Sequence, residues 1–203
     1  MRLMYVSWMV FTALWAASCN LFTPRTPEEP QSAVSSTLAF RPPTVADVVL
    51  TNLSNAFVSL SAVDYARTFS PAPTTDNLTT SDFVFTPAPE TAGVAGTLFQ
   101  NWTILSERRF FENFRSQTQR GSTPQFQLTI DERNISSPTE LQLSVSYRLT
   151  ARYNAADIPS VCRGRAVLRL LQSAQGFWYI REWRDFRGES DFTISELKRR
   201  LIN

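Results

Sequence analysis

Histidine is absent from the 203-residue sequence, which also contains only two cysteines and a single lysine, Lys198. The absence of histidine excludes nucleophile activation by Ser-His-Asp or Cys-His groups, imidazole acid–base steps, and zinc or haem bound through histidine. Two cysteines are too few for a metal cage made of thiolates alone. The sequence therefore predicts no metal site and no cofactor.

Charge is also scarce, since charged residues make up 19% of the chain and the net charge is +2. Nucleic-acid binding normally requires a clustered basic face, so the composition predicts no nucleic-acid partner. Hydrophobic residues make up 43% of the chain, which is enough to build a core. Length and composition together predict one folded domain with an appendage.

The first 18 residues have the pattern of a secretory signal peptide. Arg2 is the only charged residue before Arg25, and residues 3–15 are apolar apart from two hydroxyl side chains. A transmembrane anchor is the alternative, but this apolar run is shorter than the roughly 20 residues needed to cross a bilayer. We therefore interpret residues 1–18 as a cleaved leader.

The segment from Ala16 to Cys19 resembles the lipobox of bacterial lipoproteins, although Ala16 stands where leucine is commonest. The resemblance implies that Cys19 becomes the first mature residue and carries acyl chains that anchor the protein to a membrane. Several chains anchor stably, whereas a single chain binds only marginally. Asn20 is not the aspartate that commonly retains such lipoproteins in the inner membrane. The resemblance thus favours the outer membrane of a bacterial cell envelope, in either leaflet.

Acylation of Cys19 would leave Cys162 as a lone cysteine in an oxidising compartment. A disulfide between the two cysteines is the alternative. We prefer a free Cys162 that is buried as a small apolar residue, the commonest fate of an unpaired cysteine.

A proline-rich spacer is predicted for residues 19–43. This segment lacks the apolar periodicity of a folded element, and its prolines favour an extended tether. Residues 44–203 then form the folded domain, about 160 residues, which is long enough to bury roughly 70% of the surface of the unfolded chain. The prolines of the tether are Pro24, Pro27, Pro30, Pro42 and Pro43.

Apolar residues at three- and four-residue spacing predict three helices in the first half of the domain. The first begins at Thr44, which precedes Asp47 by three residues in an acidic variant of the capping box. Ser61 caps a second, short helix that ends before Pro71. The third is predicted over residues 103–117.

Alternating apolar and polar residues predict strands in the second half. In the last strand Trp183 has the opposite parity to Trp178 and Ile180. We therefore predict a β-bulge near Arg181 and Glu182 that turns all three side chains toward the core. A short first strand is predicted at residues 83–85, four longer strands at 126–130, 141–153, 161–171 and 177–186, and a closing helix at 193–201.

This order of elements predicts an α+β fold in which N-terminal helices pack in a strongly curved, mainly antiparallel sheet. The order resembles the nuclear-transport-factor-2-like fold, a cone formed by a bent sheet around helices. The aromatic-x-Ile-x-x-Trp-x-Asp pattern that ends at Asp185, with the terminal segment 194–198, resembles the ending of small bacterial envelope lipoproteins of that superfamily. Cystatin-like sheets wrapped on a single helix are the nearest alternative.

The resemblance implies a pocket between sheet and helices, and a minority of the superfamily are isomerases or dehydratases that use Asp, or His with Asp, beside Tyr. Without histidine, an enzyme of this kind must combine a carboxylate with a tyrosine. None of the candidates stands in a motif, so no catalytic residue is assigned and we interpret them as a helix-start acid, a turn residue and core tyrosines. The candidates are Asp64 with Tyr65, Asp82, Tyr147 and Tyr153.

Aromatic residues make up 12% of the chain, and we interpret most of them as core. An apolar ligand pocket at the mouth of the cone is the functional alternative. Its candidate ligand-binding residues are Tyr65, Trp102 and Tyr147.

Six arginines have the outward parity of three successive strands and could form a patch that binds phosphate, carboxylate or an acidic protein. Glu182 and Asp185 lie among them in the sequence, and for that reason we favour a solvated, ion-paired face. The six are Arg148, Arg152, Arg163, Arg165, Arg169 and Arg181.

The sequence thus predicts a membrane-anchored, non-enzymatic envelope lipoprotein that binds a small apolar ligand or an envelope protein partner. A histidine-free isomerase or lyase in the cone is the alternative. Homodimerisation through the outer sheet face is also open.

Overall fold

The computed structural model describes residues 38–72, 81–190 and 192–202. The predicted signal peptide, Cys19 and residues 20–37 of the tether lie outside these ranges. The helices are α1 (Ala46–Ser59), α2 (Ala62–Arg67), α3 (Pro89–Val94), α4 (Ile104–Gln117) and α5 (Ile194–Ile202), and the strands are β1 (Val84–Thr86), β2 (Gln125–Ser137), β3 (Glu140–Thr150), β4 (Val161–Gln172) and β5 (Trp178–Phe186).

The start of α1 differs from the predicted capping box. The N-cap is Val45, which has extended backbone angles and no capping side chain. The amide of Thr44 donates to the carbonyl of Pro42 over 2.9 Å, so the proline pair ends in a tight turn and the helix begins beyond Thr44. The prediction that Thr44 opens the helix is therefore wrong.

The turn from α1 into α2 follows the prediction. Leu60 ends α1 in the left-handed conformation with φ of 54°, and the amide of Ser61 donates back to the carbonyl of Ala56. The Ser61 hydroxyl then accepts from the amide of Asp64 over 3.2 Å, as an N-cap does. The predicted cap of α2 is confirmed.

The five strands form one sheet in the order β1-β5-β4-β3-β2. β1 runs parallel to β5, and all other neighbours are antiparallel. The register of β4 and β5 shifts beyond the pair Arg169–Glu182, so that Leu168 faces Trp183 and Leu170 faces Ile180. This is the predicted bulge, and it brings Ile180 and Trp183 onto one buried face.

Aromatic side chains fill the region between the helices and the inward face of the sheet, which we call the cone interior. Phe57 of α1 contacts four other rings, with centroid distances of 4.6–5.6 Å, and mutual edge-to-face and tilted contacts of this kind continue across the core. The fully buried large residues include Phe57, Tyr65, Phe69, Phe110, Phe111, Phe114 and Trp183. Cys162 is buried and free, as predicted.

Two elements depart from the sequence prediction. Helix α3 was not predicted, because Pro87 and Pro89 indicated only the end of the first strand. Pro89 in fact lies in the first turn of α3, where proline is tolerated. Strand β3 ends at Thr150 rather than at residue 153, because the Ala151 amide turns to the carbonyl of Ser160.

The chain is already held against the domain before α1. The side chain of Asn52 accepts from the amide of Arg41 over 3.0 Å and donates to its carbonyl over 2.7 Å. The Trp178 amide donates to the carbonyl of Pro43 over 2.7 Å. Residues 41–43, which were predicted to belong to the tether, therefore contact α1 and β5. Within the described ranges, no helix combines the length and apolarity that a bilayer-crossing segment needs.

Candidate functional site

A buried ion pair joins α4 to α5 in the cone interior. The ammonium group of Lys198 donates to Oε1 of Glu107, and both side chains have no exposed surface. The Trp102 indole N–H donates to the same oxygen over 2.7 Å, and the Tyr65 hydroxyl donates to Oε2 over 2.7 Å. Both carboxylate oxygens of Glu107 are therefore occupied by side chains of the protein itself.

Aromatic rings surround the ammonium group of Lys198. Its Nζ lies 3.4 Å from the centroid of Phe85 and 5.2–5.5 Å from the centroids of Trp102, Phe110 and Trp183. Such contacts stabilise a cation. Burial nevertheless lowers the pKa of Lys198, and the neighbouring Glu107 opposes that shift.

A second polar network lies on the inward face at the end of β5. Oδ1 of Asp185 accepts from the Tyr147 hydroxyl over 2.7 Å, and Oδ2 accepts from the Ser195 amide over 2.9 Å and from its hydroxyl. In turn, the Tyr147 oxygen accepts from the Ile194 amide, and the Ser195 oxygen accepts from the Ala88 amide. This network connects β3, β5, the start of α5 and the start of α3.

Glycine at position 164 makes the second network sterically feasible. A Cβ atom at Gly164 would lie 2.3 Å from the Tyr147 hydroxyl oxygen. Any larger residue would therefore push Tyr147 away from Asp185. Burial raises the pKa of Asp185, and its hydrogen bonds from Ser195 and Tyr147 oppose the shift. Burial, followed by the charge of Asp185, raises the pKa of Tyr147.

The three candidate ligand-binding residues lie in these two networks. Tyr65 and Trp102 both bind Glu107, and Tyr147 binds Asp185. All three are buried. Burial raises the pKa of Tyr65, and Glu107 adds to that shift. The hydroxyls of Tyr65 and Tyr147 are thus engaged inside the protein rather than directed toward an open cone mouth.

The remaining candidates, Asp64, Asp82 and Tyr153, lie outside these two networks. Asp64 is in the first turn of α2 and pairs with Arg67 over 3.4 Å, in agreement with its interpretation as a helix-start acid. Asp82 precedes β1 and pairs with Arg181. Tyr153 follows β3, and burial raises its pKa.

Sequence reasoning missed Glu107, Lys198, Asp185 and Ser195. Two of them had a visible signal, because each is a charged residue on an apolar helical stripe. Glu107 follows Ile104 by three residues, and Lys198 follows Ile194 by four. Such positions face the core, but the partner lies 91 residues away in the chain and is visible only in the folded structure.

The outer face of the sheet contains the residues that alternate with the buried ones. Three of its arginines pair with carboxylates: Arg169 with Glu140, Arg181 with Asp82, and Arg184 with Glu182. Asp185 is not on this face, because the bulge turns it inward opposite Ala166. The sequence interpretation that counted Asp185 among the outer-face carboxylates is therefore wrong.

Two clefts open at the surface along this face. The first, of about 520 Å³, lies between the start of α3 and the middle of β2, β3 and β4, and includes Glu90, Arg165 and Phe186 in its lining. The second, of about 600 Å³, lies between β4 and residues 188–189. Tyr147 contributes to the lining of the second cleft.

Comparison with known proteins identifies the fold. No protein-family model matches the chain, and neither does any curated protein. A putative scytalone dehydratase from Novosphingobium aromaticivorans has a TM-score of 0.51 at 12% identity, over 73% of this chain and 89% of that one. A ketosteroid isomerase-like protein from Erwinia carotovora atroseptica has a TM-score of 0.50 at 11% identity, over 74% and 98%. A conserved protein from Planctomyces limnophilus has a TM-score of 0.51 at 10% identity, over 69% and 91%.

Identities this low show the fold alone. The chain has the α+β fold of nuclear-transport-factor-2-like proteins, and the fold expected from the sequence is confirmed. The fold occurs in ligand-binding proteins and in isomerases and dehydratases, so it does not decide among these functions.

Proposed function

We propose that this protein is a lipid-anchored, non-enzymatic component of a bacterial cell envelope, in which the cone is a scaffold and binding takes place at the surface. The observation that carries the proposal is the network around Glu107. In this network Tyr65, Trp102 and Lys198 occupy the carboxylate in the centre of the cone interior. A substrate could reach that carboxylate only by displacing them.

The filled cone also favours one of the two binding modes expected from the sequence. A small apolar ligand in the cone would have to displace buried rings such as Phe57 and Phe111, which contact each other at 5.0 Å. Interiors packed in this way contain few voids larger than a water molecule. We therefore favour an envelope protein or other partner that binds at the surface over an apolar ligand in the cone.

The anchoring part of the proposal rests on the sequence. An apolar leader ends in small residues, and Cys19 stands where a cleavage site is expected. Because multiple acyl chains hold a protein stably at a membrane, acylated Cys19 accounts for both the leader and the proline-rich segment after it.

Metabolic labelling with a radioactive fatty acid tests the anchor. We expect the wild-type protein to incorporate label and to sediment with membranes. Cys19→Ser should incorporate no label and should accumulate as precursor. The matched control is Cys162→Ser, which removes the other cysteine and should leave labelling unchanged. Labelling that persists in Cys19→Ser, or an unlabelled wild-type protein with a different mature N-terminus, contradicts the proposal.

A histidine-free isomerase or lyase remains the second candidate, because Asp185 has a raised pKa and lies beside Tyr147. Against this candidate, both oxygens of Asp185 already accept hydrogen bonds and the residue is 1% exposed. A general base needs a free lone pair within reach of the substrate proton. Conversion of an unconjugated cyclic enone by the wild-type protein but not by Asp185→Asn would establish this candidate and overturn the non-enzymatic proposal.

A further inference from the structure

Three arginines are close together on the outer face of the sheet. Arg148 of β3 lies directly opposite Arg163 of β4, and Arg165 is the next outward residue along β4. All three are exposed. Side chains directly opposite in an antiparallel pair have Cβ atoms about 4.5–5.5 Å apart, and like charges in this arrangement destabilise the sheet. We call these residues the arginine cluster.

The cluster differs from the other outer-face arginines in its partners. Arg169, Arg181 and Arg184 each form an ion pair with a carboxylate. Within residues 38–72, 81–190 and 192–202, the structure gives no hydrogen bond or ion pair to the side chains of the arginine cluster. The outer face therefore pairs Arg169, Arg181 and Arg184 with carboxylates, whereas the described residues supply no such partner to the cluster, in which Arg148 faces Arg163.

A cleft of about 600 Å³ lies against the cluster. Its lining includes Arg163, Arg165 and Ser146 on the strands, and Gly188 and Glu189 on the opposite wall. Gly164 lies between the two arginines. A Cβ atom added at Gly188 would lie 3.5 Å from the Cα atom of Gly164. Both glycines contribute only backbone atoms to this lining, and its exposed charged residues are Arg163, Arg165 and Glu189.

We propose that the arginine cluster and this cleft form a binding site for an oxyanion, a phosphate or carboxylate group of a ligand or partner. Guanidinium groups bind such groups with paired, charge-assisted hydrogen bonds. An anion between Arg148 and Arg163 would convert their mutual repulsion into attraction. The site goes beyond the proposed function and does not depend on whether Cys19 is acylated.

Substitution of Glu189, in the same cleft, should change the affinity for an anion in the opposite direction to substitution of an arginine. Glu189 is exposed and lines the cleft, and in the part of the chain that the structure describes it forms no ion pair with the arginine cluster. A fixed negative charge beside an anion site weakens binding. Glu189→Gln should therefore bind an anion more tightly than the wild-type protein, which is the opposite of the effect expected for an arginine substitution.

Calorimetric titration of the full-length protein in detergent, at low ionic strength, tests the site. Pyrophosphate and citrate serve as separate probes, so that phosphate and carboxylate ligands are distinguished. We expect at least one probe to bind, with affinity falling about tenfold in Arg163→Gln and rising in Glu189→Gln. Without the probe, Arg163→Gln should unfold at a slightly higher temperature, because it removes a like-charge pair.

Arg184→Gln is the matched control, because Arg184 is on the same face but is already paired with Glu182. It should leave the affinity unchanged. Binding of pyrophosphate alone or of citrate alone identifies the ligand chemistry and supports the site. The site is refuted if neither probe binds, or if Arg163→Gln and Arg184→Gln weaken binding equally.

Discussion

Lys198 shows what a single residue contributes in this core. Its ammonium group and the Glu107 carboxylate have no exposed surface, and each depends on the other for compensation of its charge. A complete buried pair is weak evidence for stability, because desolvation offsets much of the attraction, but an incomplete pair is strongly destabilising. The fold therefore depends on having both residues, because loss of either one leaves a buried charge without a partner.

Lys198→Met should lower the free energy of unfolding by about 3–5 kcal/mol, because Glu107 is left as an uncompensated buried carboxylate. The double variant Glu107→Gln with Lys198→Met should recover most of that loss, since glutamine can still accept from Trp102. Urea denaturation followed by circular dichroism measures both changes.

The control for this pair is Arg200→Met, on the same helix. Arg200 pairs with Glu196 in a partly exposed position, so its loss should cost no more than about 1 kcal/mol. Equal losses for Lys198→Met and Arg200→Met would contradict the role assigned to the buried pair.

Asp185 gives the protein a defined pH dependence. Burial raises its pKa in the folded protein above the ordinary aspartate value of about 3.9. The folded state therefore binds this proton more tightly than the unfolded state does, and the associated stabilisation is complete below about pH 3.9 and is lost as pH rises through the folded-state pKa.

Asp185→Asn has no ionisable group at this position. Its amide cannot accept from both Tyr147 and Ser195 in the way that the carboxyl does, so the variant should be less stable than the wild type. This deficit should be largest in acid and should shrink as pH rises, because only the wild type then bears a buried charge. Denaturation series at several pH values test this, and a deficit that grows with pH would contradict it.

At the scale of elements, the bulge in β5 determines which residues reach the core. If the nine residues of β5 alternated regularly, with no bulge, Trp183 and Asp185 would lie on the outer face, since a shift of one residue moves every side chain to the opposite face. The bulge thus places the ring beside Lys198 and the carboxylate beside Tyr147.

Deletion of Arg184 should therefore prevent native folding, because it moves Asp185 to the outer face, whereas Arg181→Ala should leave the fold intact. Arg181 is partly exposed and pairs only with Asp82 among the described residues, so the alanine variant loses little. Expression in soluble form and near-ultraviolet circular dichroism distinguish the two variants. A soluble deletion variant with wild-type aromatic signals would show that the strand can be re-registered.

The elements also show how far the sequence predicts the structure. The bulge could be predicted because Trp178, Ile180 and Trp183 form a strong apolar pattern with one error in parity. The capping of α1 could not, because Thr44 is removed from the N-cap by a turn at Pro42 that the capping motif does not contain. The polar networks could not be predicted either, since several of their hydrogen bonds join residues that are 38 to 107 positions apart and depend on how α5 packs.

For the whole molecule, the main distinction is between a hollow cone and a filled one. The cone interior here is filled by protein side chains, with Phe111 stacked on Tyr65 at 4.3 Å and in contact with Phe57 and Phe114. In the part of the cone that these rings occupy, a ligand would find space only after a side chain is removed.

Phe111→Ala should create that space. We expect it to reduce stability by about 3–5 kcal/mol and to leave an apolar cavity that binds benzene. Benzene should then raise the unfolding temperature of the variant but not that of the wild-type protein. Leu105→Ala, an exposed position on the same helix, is the control and should bind no benzene. Equal benzene effects on wild type and Phe111→Ala would show that the wild-type cone is already open.

The attachment of residues 41–43 to the domain has a mechanical consequence. Within the described residues, a pull from the N-terminal side reaches the contact of Phe40 with Arg67, then the two Asn52 hydrogen bonds to Arg41, and then the bond between Trp178 and Pro43. These bonds connect to α1 and to the first residue of β5, next to the centre of the sheet. Tension along the chain would therefore be shared between a helix and a strand before it could peel either element from the core.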